Sequence, residues 1–110
     1  MLAHIPDLLQ GTLDLLILKS LATAPLHGWA ISKRIQQMSS DVLTVNQGSL
    51  YPALYRLEDR GWIASKPALS PEGRRIKVYR LTAAGRRQLS HEIDAWRHFA
   101  RAIDHVVAAT

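Results

Sequence analysis

The sequence predicts a mainly α-helical fold with one small β-hairpin, in the order helix, helix, helix, strand, strand, helix. Four segments are rich in apolar residues and are predicted to be helices, three of them with one-sided helical spacing, and the turn-forming segment SPEGR separates two β-rich stretches. The 110 residues leave room for a single domain with a small core. The chain contains no cysteine, which excludes disulfides, thiolate zinc sites and thiol nucleophiles and suggests a reducing, cytoplasmic location.

The first predicted helix spans Thr12 to Ala24 and ends at Pro25. Its apolar residues cover most of the circumference rather than one stripe, so we expect burial on two sides. A domain of this size has few residues left to cover the second side of the helix, so we expect a partner subunit to cover it. The residues of this helix assigned to a subunit interface are Leu13, Leu16 and Ile17.

A turn at His27–Gly28 leads into the second predicted helix. Its apolar spacing comes from Trp29, Ile31, Ile35 and Met38. The following segment, Val42–Val45, is too short to distinguish a connector from a short strand.

In the third predicted helix, Leu50, Leu54 and Leu57 recur at i, i+4 and i+7 and turn one face inward. Proline is tolerated best in the first turn of a helix. Pro52 therefore indicates either a start near Gly48–Ser49 or a distortion at the proline itself, and we adopt the late start.

Gly61 is placed as the glycine that ends this helix. The stretches Trp62–Leu69 and Arg75–Leu81 then form an antiparallel hairpin around SPEGR. Along the second strand Tyr79 and Leu81 share one face, but the other face is also partly apolar. The pattern alone does not decide which face packs inward.

The last predicted helix begins after Thr82 as N-cap and runs to about Val107. Its apolar residues alternate spacings of four and three, a heptad-like seam that we expect to pack against another chain. The seam residues are Leu89, Ile93, Trp96, Ala100, Ile103 and Val107. Three histidines on this helix, His91, His98 and His105, recur every seven residues, about 10 Å apart and too far for one ion to bridge.

No paired carboxylates, nucleophile–base motif or phosphate-cradling glycine loop occurs, so we expect neither an enzyme nor a metal or cofactor site. No apolar run approaches the roughly 20 residues of a membrane span. The N-terminal segment lacks a basic region and a small-residue cleavage site, and no signal peptide is expected. The net charge of +5 favours a polyanionic partner: nucleic acid, an acidic protein or an anionic membrane surface.

Three helices followed by a basic hairpin form the winged helix-turn-helix plan, in which the third helix enters the DNA major groove and the hairpin, the wing, contacts the flanking backbone. Residues 1–81 would form this unit and residues 82–110 a C-terminal dimerisation helix, the two making one structural unit. The charged residues placed toward DNA are Lys33, Arg34, Arg56, Arg74, Arg75 and Lys77. Gln47 and Ser49 have the chemistry either to read base edges or to cap the helix.

Three separated motifs, HGWAISKRI, GSLYPALYRLEDRGWI and VYRLTAAGRRQL, resemble the PadR family of transcriptional regulators, in its short subgroup with one C-terminal helix. The resemblance extends from Gly11 to Leu89. It implies a cytoplasmic, homodimeric repressor, joined through its first and last helices and relieved by a small molecule. It also places the recognition helix on Gln47–Arg60 and the wing on Ser70–Lys77, with Ser49, Tyr51 and Tyr55 near double-stranded DNA.

A dimer of this kind is expected to bind a pseudo-palindromic operator. The wing lacks the extra glycines of many members, so we expect a shorter tip that aims Arg74 and Arg75 differently. Both tyrosines could instead pack the helix. A second hypothesis keeps the fold but makes it a protein-interaction module that binds an acidic partner. Trp96 is either a further anchor of the seam or, with Phe99, one wall of an interfacial pocket for a planar aromatic effector.

Overall fold

The computed structural model describes residues 3–4 and 10–110 of the chain, so the N-terminal segment considered for a signal peptide lies mostly outside the described residues. The elements are β1 Ala3–His4, α1 Gln10–Ser20, β2 Leu26–His27, α2 Gly28–Met38, β3 Leu43–Thr44, α3 Gln47–Asp59, β4 Ile63–Leu69, β5 Arg75–Leu81 and α4 Ala83–Ala108. The predicted fold class is confirmed: four helices accompany a small sheet whose main part is a hairpin.

Helix α1 packs inside the chain's own core, which corrects the assignment of two of its residues. Leu13 and Ile17 are 3% and 0% exposed and pack among the leucines and isoleucines of α2 and α3, so they are already covered without a partner. Only Leu16, of the three interface candidates on this helix, is partly accessible. The helix also ends earlier than predicted, at Ser20, and just beyond it the Ala22 N–H donates to the Lys19 carbonyl at 3.1 Å, three residues back, in a tighter turn.

Helix α2 contributes Ile31 and Ile35 to the core, as predicted. The other two apolar residues assigned to the same stripe do not join it. Trp29 and Met38 are 55% and 48% exposed. An interval of two residues turns an α-helix through about 200°, so Trp29 lies on the opposite side from Ile31.

Helix α3 begins at Gln47 rather than at Gly48–Ser49. The Asn46 side chain accepts a hydrogen bond from the Ser49 backbone N–H at 2.8 Å and caps the helix. Pro52 therefore lies inside the helix, on its exposed side, and supplies no N–H to the helical hydrogen bonding. The buried leucine face is confirmed, since Leu50, Leu54 and Leu57 are all 0% exposed.

The predicted C-terminus of α3 is also confirmed. Gly61 adopts a left-handed conformation with φ +77°. Its N–H donates to the Glu58 carbonyl at 3.0 Å, and the Trp62 N–H donates to the Leu57 carbonyl at 3.1 Å. These two bonds define a Schellman motif, which turns the chain directly into β4.

The hairpin joins β4 to β5 in antiparallel register, and β2 pairs along the other edge of β5. Tyr79 and Leu81 lie on the face of β5 that packs inward, and they are 1% and 8% exposed. At the tip the Gly73 N–H donates to the Ser70 carbonyl at 2.9 Å, and Gly73 has φ +82°. The Val42–Val45 segment contains a short strand, β3, paired in parallel with β1.

Helix α4 starts as predicted, because the Thr82 hydroxyl accepts a hydrogen bond from the Gly85 N–H at 3.0 Å. Leu89 is buried in the core, which corrects its assignment to a subunit interface, and Ile93 packs against the core's edge. Beyond that point the helix leaves the domain. Its exposed large apolar residues are Trp96, Phe99, Ile103, Val106 and Val107. Within the described part of the chain, no helix combines the length and apolarity of a membrane span.

Candidate nucleic-acid interface

Helix α3 and the wing meet at a cleft of about 330 Å³ on one side of the molecule. Tyr51 and Tyr55 of α3 form one wall, and Arg75 and Lys77 of β5 form the other. Trp29, from the second position of α2, closes the cleft at its end. The structure thus brings together four of the residues predicted to lie near DNA, and adds one that was not predicted.

The two tyrosines hold different positions in the cleft. Tyr55 is 59% exposed and points outward. Tyr51 is half-buried, and its ring lies so close to Gly28 that a Cβ there would be 2.7 Å from the Tyr51 hydroxyl oxygen. A larger residue at the first position of α2 would therefore displace the Tyr51 ring from this position. Behind them Tyr79 is buried, and burial raises the pKa of its hydroxyl, which keeps it neutral.

The cations of the wing follow from the alternation of side chains along β5. Arg75, Lys77 and the buried Tyr79 lie on the same face of β5. This face packs into the core at Tyr79, and toward the tip of the wing it carries the two exposed cations. The Lys77 ammonium lies 6.0 Å from the centroid of the Tyr55 ring. Arg74, at the tip, lines a neighbouring depression with Glu72 and Ile76. Within residues 10–110 none of these three cations forms an ion pair.

Two other cations predicted to face DNA have partners within the chain. Arg56 donates a hydrogen bond to Asp14 of α1 and forms an ion pair with it. Arg34 donates to the Thr23 hydroxyl at 3.0 Å, on the connection between α1 and β2. Charge type alone did not reveal these partners. Lys33 remains on the outside of α2, with its ammonium 5.2 Å from the Trp29 ring.

At the start of α3, the residue that caps the helix is not one of the residues predicted to contact DNA. Asn46 caps the helix, a role that we had not assigned to it, and this leaves the side chains of Gln47 and Ser49 free of that task. Gln47 is exposed and Ser49 is half-buried. The signal available in the sequence was the residue type, because asparagine directly before a helical segment is a preferred N-cap residue.

A second surface lies between α1 and α4, remote from the wing. Trp96 and Phe99 have ring centroids 6.1 Å apart at an interplanar angle of 53°. With Leu15, Gly11 and Glu92 they line a depression of about 280 Å³. Here the structure brings both residues of the predicted effector pocket together. Among residues 10–110 no cluster of three histidine, cysteine or carboxylate side chains could hold a metal ion.

Comparisons with known proteins identify a family and several similar transcriptional regulators. Residues 17–91 match the family described as "Transcriptional regulator PadR-like family". A transcriptional regulator of Mycobacterium tuberculosis is 36% identical over 94 residues, covering 86% of this chain and 84% of that protein. The structure of a transcriptional regulator from Clostridium thermocellum superposes with a TM-score of 0.82 at 27% identity, covering 91% of this chain and 97% of the other. A PadR family transcriptional regulator from Eggerthella lenta gives 0.79 at 27% identity, with 94% and 88% covered.

Proposed function

This chain belongs to the PadR-like family, whose members are transcriptional regulators and not enzymes, and on that premise we propose that it is a homodimeric, cytoplasmic repressor of its target promoter. The observation that carries the proposal is the cleft in which Tyr51 and Tyr55 of α3 face Arg75 and Lys77 of the wing. Helix α3 enters the major groove, and the wing cations bind the phosphates beside it.

The wing cations are suited to phosphate because they are exposed and, among the described residues, have no carboxylate partner. Each phosphate neutralised by such a side chain releases condensed counterions, so binding weakens as salt rises. Gln47, exposed in the first turn of α3, and Ser49 are the residues proposed to read base edges. In each subunit, residues 1–81 form the DNA-binding unit and residues 82–110 the dimerisation helix.

Dimerisation is supported by the apolar residues that α4 leaves exposed. Trp96, Ile103 and Val107 are 43%, 43% and 77% exposed, and they recur on one face of the helix. A soluble monomer rarely exposes an apolar stripe of this kind. The partner's matching stripe covers it, with Ala100 and Leu16 beside the contact, and the two-fold axis places two α3 helices on half-sites about 34–36 Å apart.

The effector, in this proposal, is a planar aromatic molecule that binds beside Trp96 and Phe99 and releases the DNA. The depression between α1 and α4 supplies aromatic walls, with Leu15 as an apolar floor. Titration with aromatic dyes, followed by tryptophan fluorescence, measures the binding. Affinity for the dye should fall in Trp96→Ala and persist in Trp62→Phe. If Trp96→Ala binds the dye as tightly as wild type does, the proposed effector site is wrong.

The DNA-binding proposal is tested by selecting genomic fragments with the purified protein and measuring their affinity across a range of salt concentrations. Arg75→Ala combined with Lys77→Ala should weaken binding and reduce the slope of log K against log salt by about 2. The matched control removes the same charge from α4, with Arg97→Ala and Arg101→Ala, and should leave that slope unchanged. If no fragment competes better than random DNA, the basic surface binds an acidic protein instead.

A further inference from the structure

Trp29 is an exposed aromatic residue that the core does not use. It is 55% exposed, whereas Ile31 and Ile35 of the same helix are 0% and 1% exposed. Indole is the largest side chain available, and leaving half of it in water forgoes burial that the fold could have used. Its position on the outside of α2 therefore calls for an explanation other than packing within the domain.

Cations are concentrated in the surroundings of Trp29. The indole stacks on the His27 ring, with centroids 6.2 Å apart and planes at 24°, and the Lys33 ammonium lies 5.2 Å from its centroid. Trp29 also forms part of the wall of two adjacent depressions. One contains Arg75 and Lys77. The other contains Arg74 and Glu72, so four cations surround the indole against a single carboxylate.

An apolar ring set between cations matches the chemistry of a nucleic-acid backbone, where deoxyribose faces alternate with phosphates. Carboxylates of an acidic protein could pair with the same cations, but the cleft is continuous with α3 through Tyr51 and Tyr55. A duplex that places its major groove on α3 brings its flanking backbone to the wing and to the first turn of α2. The position of Trp29 therefore favours DNA as the molecule that binds in this cleft.

We propose that Trp29 packs on a deoxyribose of the operator backbone, while Lys33 and Lys77 bind the phosphates on either side of that sugar. The inference rests on the proposed DNA-binding function and adds a contact to it. The indole fixes where the backbone lies between α2 and the wing. This contact buries apolar surface and neutralises no phosphate, so its contribution to affinity is independent of salt.

The first test compares Trp29→Ala and Lys33→Ala for affinity to a selected operator fragment at several salt concentrations. Trp29→Ala should weaken binding about tenfold at every concentration and leave the slope of log K against log salt unchanged. Lys33→Ala should reduce the slope by about 1. Trp29→Phe, which keeps an aromatic face, should bind within about twofold of wild type. Wild-type affinity in Trp29→Ala would overturn the inference.

The second test detects the contact without relying on affinity. Acrylamide quenches exposed tryptophans, and saturating operator should protect wild-type protein from quenching. The protection should disappear in Trp29→Phe and persist in Trp62→Phe. Trp62 is a matched control because it too carries a cation, Arg60, 5.2 Å from its ring. Undiminished protection in Trp29→Phe would rule out the contact. If wild-type protein binds no fragment specifically, the proposed function itself fails, which is a separate result.

Discussion

The Arg56 guanidinium of α3 donates a hydrogen bond to the Asp14 carboxylate of α1, and the two form an ion pair inside the molecule. The side chains differ in burial, since that of Asp14 is 10% exposed and that of Arg56 is 24% exposed. Burial raises the pKa of Asp14 above 3.8 and outweighs the hydrogen bond and charge of Arg56, which lower it. The pair thus fixes α3 to α1 while retaining a net desolvation cost on the carboxylate.

The two partners should respond unequally to substitution. Arg56→Met leaves the buried Asp14 carboxylate without its main counter-charge and should reduce the free energy of unfolding by about 3 kcal/mol at neutral pH. Asp14→Asn supplies a neutral group of the same size and leaves a guanidinium that can reach water. It should cost less than about 1 kcal/mol. Urea denaturation measures both.

The double variant is the control for this asymmetry. Because Arg56→Met acts through the charge left on Asp14, adding Asp14→Asn should restore most of the lost stability. Simple additivity of the two single effects would show that Arg56 stabilises α3 by packing rather than by compensating Asp14.

The raised pKa of Asp14 also predicts a direction for the pH dependence of stability. Between the unfolded value, near 3.8, and the higher folded value, the folded protein binds more protons than the unfolded chain. The contribution of Asp14 is therefore fully present below the unfolded pKa and is lost as pH rises through the folded pKa. Unfolding free energies of wild type minus Asp14→Asn, measured from about pH 3 to about pH 6, should fall with pH and then level off. If the difference in unfolding free energy rises with pH instead, folding lowers the pKa of Asp14 and the prediction is wrong.

Gly85 is the glycine at which substitution should be most damaging. A Cβ there would lie 1.9 Å from the Trp62 carbonyl oxygen and 2.9 Å from its carbonyl carbon, which are backbone atoms that cannot rotate away. That carbonyl is held by the Thr82 N–H at 3.1 Å. Gly85→Ala should therefore separate α4 from the start of β4 and lower stability by about 3 kcal/mol.

Gly11→Ala is the matched control for this prediction, since Gly11 is also helical and a Cβ there meets nothing within 4 Å. It should leave stability unchanged or raise it by up to about 1 kcal/mol. Thermal melts of the two variants distinguish a steric cause from a general effect of replacing glycine in a helix. Equal losses would contradict the steric cause.

Local patterns predicted those parts of the fold that depend on local interactions. The leucine spacing of α3 specifies its buried face, and Gly61 and Gly73 specify turns because each adopts a positive φ. The end of α1 was predicted wrongly, because the helix ends at Ser20 in a turn closed by the Ala22 N–H and the Lys19 carbonyl, with no glycine or proline to mark it in the sequence. Trp29 was misplaced because an indole satisfies any apolar pattern, and only the packed structure shows which side of α2 is covered.

The sequence predicted which cations lie in the wing but not which cations pair within the chain. A cation in a sequence carries no indication of its partner, and the partner of Arg56 lies 42 positions away, at Asp14. Arg75 and Lys77 were predicted to lie in the wing and do so, because strand alternation fixes which side chains share a face. Their relation to Tyr55 depends on how the hairpin packs on α3, which the sequence pattern did not contain.

The exposed stripe of α4 predicts that a single charge on it will abolish dimerisation. Ile103 lies seven residues after Trp96 and shares its face, whereas His105 lies two residues further on and points to the opposite side. Ile103→Glu would bury a carboxylate against the partner and should give a monomer in sedimentation velocity, with loss of cooperative operator binding. His105→Glu adds the same charge to the same helix and should remain a dimer. The fold of the monomer should survive in both, because Ile103 is already 43% exposed within the chain. An Ile103→Glu protein that dimerises as tightly as wild type would exclude this face as the subunit interface.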